Sequence, residues 1–337
     1  WGAFAGCSSL AGVTLSDSVT SIGHLAFAGC RSLATMTFPK SLTYISWGAF
    51  EGCSSLTSLT IPDSITRIEG ETFQGCSSLT NVMIPDSVIS IGNFAFNGCS
   101  SLTSMTIPDS VIRIGSNAFT GCNSLTSVTI PFSVTSIGNR AFYGCSSLMG
   151  VTIPDSVTRI GLWAFRRCGS LTSVTIPSSV TRIEEYTFSG CTSLRSVTIP
   201  DSVVSIYNGA FEGCTRLNNI TFEGDAPKLY GAKAFSKVSD NAKVLINRDA
   251  IGFDETFGGL PVTIDLIFEI NTFSKSATQF SLSFESKSGS TYIIEASHDL
   301  KIWDEVGAAQ ATGSSVEFID WREALFQRQY YRLKLVE

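Results

Sequence analysis

The chain has 337 residues, of which 43% are hydrophobic and only 15% are charged, and its formal net charge is −6. This balance is typical of an ordered protein whose surface carries uncharged polar groups, and it argues against intrinsic disorder. A nucleic-acid partner would need a concentrated basic region, for which the sequence gives no sign. No apolar run approaches the roughly 20 residues that span a bilayer, so we predict no membrane span. The chain begins at Trp1 inside a pattern that recurs later, and we interpret it as a processed or trimmed piece.

The strongest feature of the sequence is an internal repeat of 23 residues, which is marked by the cysteines. A phenylalanine lies three residues before each cysteine and a leucine lies three residues after it. A repeat of this length predicts a solenoid in which each unit is one coil. The cysteines that mark the coils are Cys7, Cys30, Cys53, Cys76, Cys99, Cys122, Cys145, Cys168, Cys191 and Cys214.

Residues 102–124, LTSMTIPDSVIRIGSNAFTGCNS, represent one coil. Their first apolar positions have the L-x-x-L-x-L spacing of a leucine-rich-repeat strand, and Pro108 ends this strand because it has no N–H for the ladder. Residues 111–114 predict a second short extended stretch, and residues 115–122 predict a turn or a single helical or 3₁₀ turn. The apolar face of a coil is buried only when coils stack, so the array should be on the order of 45 Å long.

The pattern L-x-x-V-x-I-P-x-S-V-x-x-I-G-x-x-A-F-x-G-C resembles the BspA-like leucine-rich-repeat family over residues 1 to about 222. The predicted fold is mainly β, a leucine-rich-repeat solenoid of 23-residue coils followed by a small antiparallel β-sandwich. The resemblance implies an exported bacterial protein, secreted or on the cell surface. Several members of the family are adhesins for host matrix proteins or other cells, so the resemblance also implies a role in adhesion.

Three regions are predicted: a solenoid over residues 1–219, a degenerate capping segment over residues 220–265 and a β-sandwich module over residues 266–337. The last region contains alternating stretches that predict strands over residues 279–285, 291–297, 301–307, 315–320 and 330–337. Its expected core is Tyr292, Trp303, Phe318 and Tyr331, with carbohydrate contact by Trp303 as the alternative. No cap precedes the first coil, which indicates either a removed segment or an edge that docks on something.

The cysteines are interpreted as small buried residues in an inward ladder, without disulfide bonds, because side chains of a parallel ladder point the same way. With one cysteine per coil and no CxxC pair, zinc binding has no local geometry. The recurring aspartates could attract calcium, but the row is broken and a turn-stabilising role explains them. This row consists of Asp63, Asp86, Asp109, Asp155 and Asp201.

His24 and His298 lie in different regions, and we interpret both as surface residues. The sequence lacks the H-E-x-x-H, G-x-S-x-G, G-x-G-x-x-G and Walker motifs, and no pair of carboxylates recurs in a way that favours acid–base catalysis. We therefore predict a protein that is not an enzyme, with no catalytic residue, no resident metal ion and no cofactor.

One candidate binding surface is a row of outward threonines on the predicted concave sheet. Threonine is favoured on exposed strands, so solubility alone explains the row. The alternatives are hydrogen bonding to a ligand and ice binding, and the expected curvature argues against a flat ice-binding lattice. The row consists of Thr60, Thr106, Thr129, Thr152, Thr175 and Thr198.

A second candidate surface follows the Ile-Gly step of each coil, where Trp47, Phe94, Trp163 and Tyr186 are larger than a turn requires. Exposed aromatic residues of this kind are enriched at interfaces, although they could instead fold back over the neighbouring coil.

Three functions remain open. The first is an adhesin or recognition array with a protein or glycan partner. The second is a subunit that self-associates end to end into a filament or surface layer. The third is an accessory region of an exported enzyme.

Overall fold

The computed structural model describes residues 1–247, 250–264, 272–275, 280–285, 289–297, 304–313, 315–320 and 330–336. Residues 1–246 and 250–263 form one compact unit, and the strands from Thr272 onward belong to a second. Over these ranges the regular structure consists of strands, and no helix occurs. The predicted mainly-β solenoid of 23-residue coils is therefore confirmed.

A single coil shows how the sequence determines the local structure. The strand Ser104–Thr106 ends just before Pro108. The N–H of Val111 donates to the carbonyl of Pro108 at 3.0 Å, and this bond closes the corner that leads to the second strand, Arg113–Ile114. Residues 115–122 then return the chain through turns closed by hydrogen bonds between residues three apart, which agrees with the turn predicted there.

The first strands of successive coils form a parallel array that we call the long ladder. Paired residues are 23 positions apart, so Thr106 lies opposite Thr129 and Thr129 opposite Thr152. The pairing is interrupted between Asn81–Met83 and Ser104–Thr106, which belong to different sheets. Isolated bridges, Thr14 with Thr37 and Thr35 with Ser58, extend this pairing towards the first coils. The strands of the long ladder are Ser58–Thr60, Asn81–Met83, Ser104–Thr106, Ser127–Thr129, Gly150–Thr152, Ser173–Thr175, Ser196–Ile199, Asn219–Phe222 and Lys243–Ile246.

The second strands form the short ladder, which is also parallel. In the part of the chain that the structure describes, it is divided into sheets of two, five and three strands. The first break lies between Tyr44–Ile45 and Arg67–Ile68, and the second lies between Arg159–Ile160 and Arg182–Ile183. The strands are Ser21–Ile22, Tyr44–Ile45, Arg67–Ile68, Ser90–Ile91, Arg113–Ile114, Ser136–Ile137, Arg159–Ile160, Arg182–Ile183, Ser205–Tyr207 and Lys228–Tyr230.

The long ladder continues past the point at which the sequence repeat fails. Asn219–Phe222 pairs with Lys243–Ile246 through a step of 24 residues, and Phe235 stacks on Phe211 with ring centroids 5.5 Å apart. An antiparallel hairpin of Thr256–Phe257 and Leu260–Ile264 follows at the edge of the same sheet. The boundary predicted between residues 219 and 220 stays a prediction.

The core of the solenoid is a column of phenylalanine rings. The rings from Phe4 to Phe211 stack one per coil, nearly parallel, with neighbouring centroids 5.2–5.8 Å apart. From Phe50 to Phe211 each ring is fully buried. Burial of such a side chain contributes about 1.5–3 kcal/mol, and stacked pairs add about 0.5–1.5 kcal/mol.

Hydrogen bonds with constant sequence offsets join neighbouring coils. The Cys122 thiol donates to the carbonyl of Phe96, 26 residues earlier, at 3.3 Å, and the same bond recurs from Cys30 to Cys214. The Ser110 hydroxyl donates to the carbonyl of Val88, 22 residues earlier, at 2.6 Å. Each coil is thus fixed to its neighbour by side chains as well as by the main chain.

All ten cysteines are free thiols, and every one except Cys7 is buried. Burial raises the pKa of the Cys145 thiol from 9.0 to about 12, and it raises the pKa of Cys122 well above the usual value. The reactive thiolate is therefore suppressed inside the array.

We expect a thiol reagent at about pH 9 to label Cys7 alone in the native protein and all ten cysteines in denaturant. Cys7 serves as the internal control, because its thiol is exposed to the reagent. The count is made by mass spectrometry after non-reducing preparation. A denatured count near zero would show that the thiols are bridged, and several native labels would show that they are accessible.

The second unit contains two antiparallel sheets. Thr272–Lys275, Phe280–Glu285 and Ser315–Asp320 form one, and Asp304–Gln310, Thr291–Ser297 and Tyr330–Val336 form the other. The strand Thr272–Lys275 was missed by the sequence analysis, and the strand predicted at residues 301–307 lies at Asp304–Gln310. The two-sheet sandwich itself stays a prediction.

The predicted core of this unit is described only in part. Tyr292 is buried and lies 5.3 Å from Phe284 between ring centroids, and Phe318 packs against the same cluster. Trp303 and His298 lie outside the described residues, as does the side chain of Tyr331.

Candidate functional site

The predicted threonine row lies on the exposed side of the long ladder. Its strands alternate exposed and buried residues, so Ser104 and Thr106 face outward while Met105 is buried. All six threonines of the row are exposed, and the serines of the same strands extend the hydroxyl surface. Met83 and Met149 interrupt it with side chains that are 61% and 57% exposed. This surface offers hydrogen bonds but little apolar area to a ligand.

A shallow depression of about 880 Å³ lies on the same face in the early coils. Thr35, Thr37, Ser58 and Thr60 contribute to its lining together with Met83. A row of hydroxyl groups in a depression suits a polar chain such as a glycan, because each hydroxyl can both donate and accept a hydrogen bond.

The second surface, which we call the turn flank, consists of the two residues after the Ile-Gly step or its equivalent in each coil. The second of these residues has a left-handed backbone conformation in every coil from the first to the tenth. It is glycine at Gly2, Gly48 and Gly209, and it is a residue with a side chain at Leu25, Glu71, Phe94, Asn117, Arg140, Trp163 and Tyr186. A residue other than glycine in this conformation is disfavoured by roughly 1–2 kcal/mol. These side chains are therefore held in place at a cost in backbone strain.

The four aromatic residues predicted here do not form one site. Phe94, Trp163 and Tyr186 occupy the strained second position, whereas Trp47 occupies the first position of its coil. Trp47 is 43% exposed, and part of its ring lies over Gly70 of the next coil, where an added Cβ would come within 2.8 Å of it. The Trp47 ring thus covers part of the neighbouring coil and also faces solvent.

Two tryptophans of the turn flank, Trp47 and Trp163, each adjoin a break in the short ladder. Trp47 follows the strand Tyr44–Ile45 at the first break, and Trp163 follows the strand Arg159–Ile160 at the second. Main-chain bonds of the turn flank still cross both positions, for example from the Trp163 N–H to the Glu185 carbonyl at 3.0 Å. The breaks are therefore local to the short strands, and each one has a tryptophan beside it.

Trp163 and Tyr186 are in contact, and basic side chains surround them. Their rings meet edge to face with centroids 5.7 Å apart. The guanidinium carbons of Arg140 and Arg166 lie 4.3 Å and 4.6 Å from the centre of the Trp163 ring. Arg166 also lies 5.0 Å from the Tyr186 ring. Each such contact is worth about 0.5–1 kcal/mol at an exposed site.

Tyr143 and Arg167 complete this group. The Tyr143 ring lies 6.4 Å from the Trp163 ring, and the Arg167 guanidinium lies 5.8 Å from Tyr143. We call these six residues the arginine–aromatic cluster: Arg140, Tyr143, Trp163, Arg166, Arg167 and Tyr186. Of these six residues, only Trp163 and Tyr186 were predicted from the sequence. The sequence also marks Arg167, which stands where nine other coils have glycine.

Among the described residues, Asp155 and His24 make contacts with the next coil. Asp155 accepts hydrogen bonds from the backbone N–H and the hydroxyl of Ser178, at 3.1 Å and 3.2 Å, so its carboxylate joins two neighbouring coils rather than closing its own turn. His24 lies 3.0 Å, through Nδ1, from the carbonyl of Trp47. Among the described residues no group of three or more His, Cys, Asp or Glu side chains could hold a metal ion. Within the same ranges no helix has the length and apolar character needed to cross a membrane.

Comparison with known sequences gives one family. A sequence model of the BspA type Leucine rich repeat region matches residues 2–126 and 112–243, in six copies. Among curated proteins, none matches this chain.

Solved structures of leucine-rich-repeat proteins are similar to this chain. A leucine rich cell surface protein from Faecalibacterium prausnitzii is 31% identical over 72% of this chain and 74% of that chain, with a TM-score of 0.47. A Leucine Rich Repeat protein from T. pallidum is 35% identical over 48% of this chain and 77% of its own, with a TM-score of 0.45. A leucine-rich repeat protein from Bacteroides ovatus is 28% identical, covering 68% and 83%, with a TM-score of 0.31.

Proposed function

Because this chain belongs to the BspA-type leucine-rich-repeat family, we propose that it is an exported bacterial surface protein that binds a protein partner and has no catalytic activity. The similarity to a protein described as a leucine rich cell surface protein supports the location. The role as an adhesin or recognition scaffold is supported by the resemblance and by the surface of the array.

The arginine–aromatic cluster is the observation that carries this proposal. Binding energy in protein interfaces is concentrated in a few Trp, Tyr and Arg residues, and this cluster combines all three types in three successive coils. The contacts among Trp163, Tyr186 and Arg166 restrict side-chain motion before binding, which lowers the entropic cost of association. The threonine row lacks such anchors. We therefore place the partner on the turn flank.

The depression on the long ladder supports a second candidate function, in which a glycan binds the exposed hydroxyl groups around Thr60. Hydroxyl rows give specificity through hydrogen bonds but bury little apolar surface. We therefore expect this face, if it binds, to bind more weakly than the turn flank.

We expect Trp163→Gly to reduce attachment of the protein to immobilised extracellular-matrix proteins by about tenfold or more, because a hot-spot residue contributes about 2 kcal/mol or more. Glycine is the residue of choice because Gly48 and Gly209 hold the same backbone conformation, with φ of 60° and 66°. Trp47→Ser, which introduces the residue that Ser116 provides in another coil, should have a smaller effect. Attachment is measured with protein-coated beads under flow.

The matched control is Phe132→Ser, which removes an aromatic ring that is 83% exposed on another side of the coil and should leave attachment unchanged. Thermal unfolding of every variant must match that of the parent protein. If Thr106→Lys and Thr152→Lys abolish attachment while Trp163→Gly does not alter it, the long ladder is the binding face and the proposal is wrong.

A further inference from the structure

The repeat pattern of the array is interrupted in the eighth coil, which carries two adjacent arginines. At the positions of Arg166 and Arg167 the preceding coil has Tyr143 and Gly144, and the following coil has Ser189 and Gly190. Arg167 has a φ of 62°, in the left-handed region that the glycines at this position occupy without strain. A strained residue that departs from the repeat is a reason to look for a function at that place.

The charges around these arginines are not balanced locally. The turn segments of three successive coils, residues 115–124, 138–147 and 161–170, contain Arg140, Arg166 and Arg167 and not one Asp or Glu. The nearest acidic residues along the turn flank are Glu184 and Glu185 of the next coil. A patch of positive charge therefore lies on a protein whose net charge is −6.

The geometry of the arginines leaves their hydrogen-bonding groups available. Arg140 and Arg166 lie against the Trp163 ring, and Arg167 lies towards Tyr143. An arginine in a cation–π contact can still donate its guanidinium N–H groups to a carboxylate. Within the described ranges none of these three guanidinium groups forms an ion pair or a side-chain hydrogen bond with another residue.

We propose that the arginine–aromatic cluster is a binding site for an acidic peptide segment, whose carboxylates pair with Arg166, Arg167 and Arg140 while its backbone lies along Trp163 and Tyr186. This inference rests on the proposed function and adds the chemistry of the partner. The cluster favours a peptide over a sugar because the Trp163 ring, which would stack on a sugar, is in contact with two guanidinium groups. Paired charges at the edge of aromatic anchors are typical of protein interfaces.

The test measures binding of a fluorescein-labelled oligoglutamate peptide to the full chain by fluorescence anisotropy at low salt. We expect saturable binding that oligoglutamine and oligolysine do not show, and that weakens as salt screens the charges. The double variant Arg166→Gln, Arg167→Gly should raise the Kd about tenfold or more, because charge-assisted pairs are lost. Arg167→Gly restores the glycine of the other coils, so this variant should fold at least as well as the parent.

The matched control is Arg113→Gln, Arg159→Gln, which removes the same charge from exposed residues of the short ladder. Its affinity for oligoglutamate should be unchanged. Equal weakening by both double variants would mean that only the overall charge matters and would overturn the site. No binding of oligoglutamate, or no loss in the first variant, would also overturn it.

A heparin oligosaccharide tests the competing class of polyanion. If it binds more tightly than oligoglutamate and loses affinity with the same variant, the ligand is a sulfated glycan and the acidic-peptide proposal is wrong. The outcome for the proposed function is separate. Attachment to matrix proteins that depends on Trp163 without oligoglutamate binding would retain the function and reject this chemistry. Oligoglutamate binding without attachment would retain the acidic-peptide chemistry and reject the proposed function.

Discussion

Replacing Phe119 with alanine is expected to lower the free energy of unfolding by about 3–5 kcal/mol, since it removes a fully buried ring and leaves a cavity. The ring lies in the middle of the phenylalanine column, 5.5 Å from Phe96 and 5.2 Å from Phe142 between centroids. Both neighbours lose a stacking partner, and the turns on either side are held by hydrogen bonds that limit their collapse into the space. Denaturant unfolding followed by circular dichroism measures the loss.

The control for this substitution is Phe132→Ala, because Phe132 is 83% exposed and should change stability by less than about 0.5 kcal/mol. Hydrogen exchange adds a spatial test, since coils interact with their nearest neighbours only. Exchange should rise first in the coils around residue 119 and later in distant ones. Equal losses of stability in the two variants, or a uniform rise in exchange, would contradict the stacked-column account.

Replacing Gly138 with alanine is expected to lower the free energy of unfolding by about 1–3 kcal/mol and to open the short ladder between two coils. An added Cβ would lie 2.5 Å from the carbonyl carbon of Gly115 and 2.5 Å from the amide nitrogen of Ser116. Main-chain atoms cannot rotate away as a side chain could, so the coils must separate. The hydrogen bond from the Gly138 N–H to the Ile114 carbonyl, 2.9 Å long, is then lost.

Other coils carry larger residues at this position. Glu69 and Glu184 occupy the position that Gly138 has in its coil, and each lies at one of the two breaks in the short ladder, whereas Ser46 and Tyr207 occupy it beside strands that stay paired with the preceding coil. The control is Gly150→Ala, at which an added Cβ meets no atom within 4 Å and other coils carry serine. It should be neutral or slightly stabilising. If both alanine variants are equally stable, the close approach of the coils at Gly138 does not constrain them.

Periodicity was sufficient to predict the architecture of the array. A fixed spacing of cysteine, phenylalanine and leucine places one of each per coil on the same side. The buried phenylalanine column and the free cysteine thiols could therefore be predicted from the sequence. The exposed threonines followed from the alternation of Ser104, Met105 and Thr106. The continuation of the long ladder to Lys243–Ile246 was harder to see, because its step is 24 residues and no cysteine marks it.

The candidate site was only half predictable, because the repeat gives the position of a residue but not the direction of its side chain. Trp47 and Trp163 were grouped together, yet they occupy adjacent positions with different backbone conformations. Trp163 contacts Arg166 within one coil, but its contact with Arg140, 23 residues earlier, forms only because coils stack. The sequence shows that Arg167 replaces the glycine of the other coils. A binding role for it could be inferred only after the structure placed aromatic rings beside it.

The bonds between coils join residues at constant offsets, which are 22 residues for serine, 23 for paired strand residues and 26 for cysteine. These offsets limit how such a chain can change in length. A duplication or deletion of one whole coil recreates at its junction the same pairs of donors and acceptors that exist elsewhere. A change of another length shifts the offsets within one coil, as in the 24-residue step from Asn219–Phe222 to Lys243–Ile246, where the strands still pair but no cysteine bond joins the coils. Natural variation can therefore add or remove recognition surface in increments of one coil, about 4.8 Å each, while the interior of every coil stays fixed.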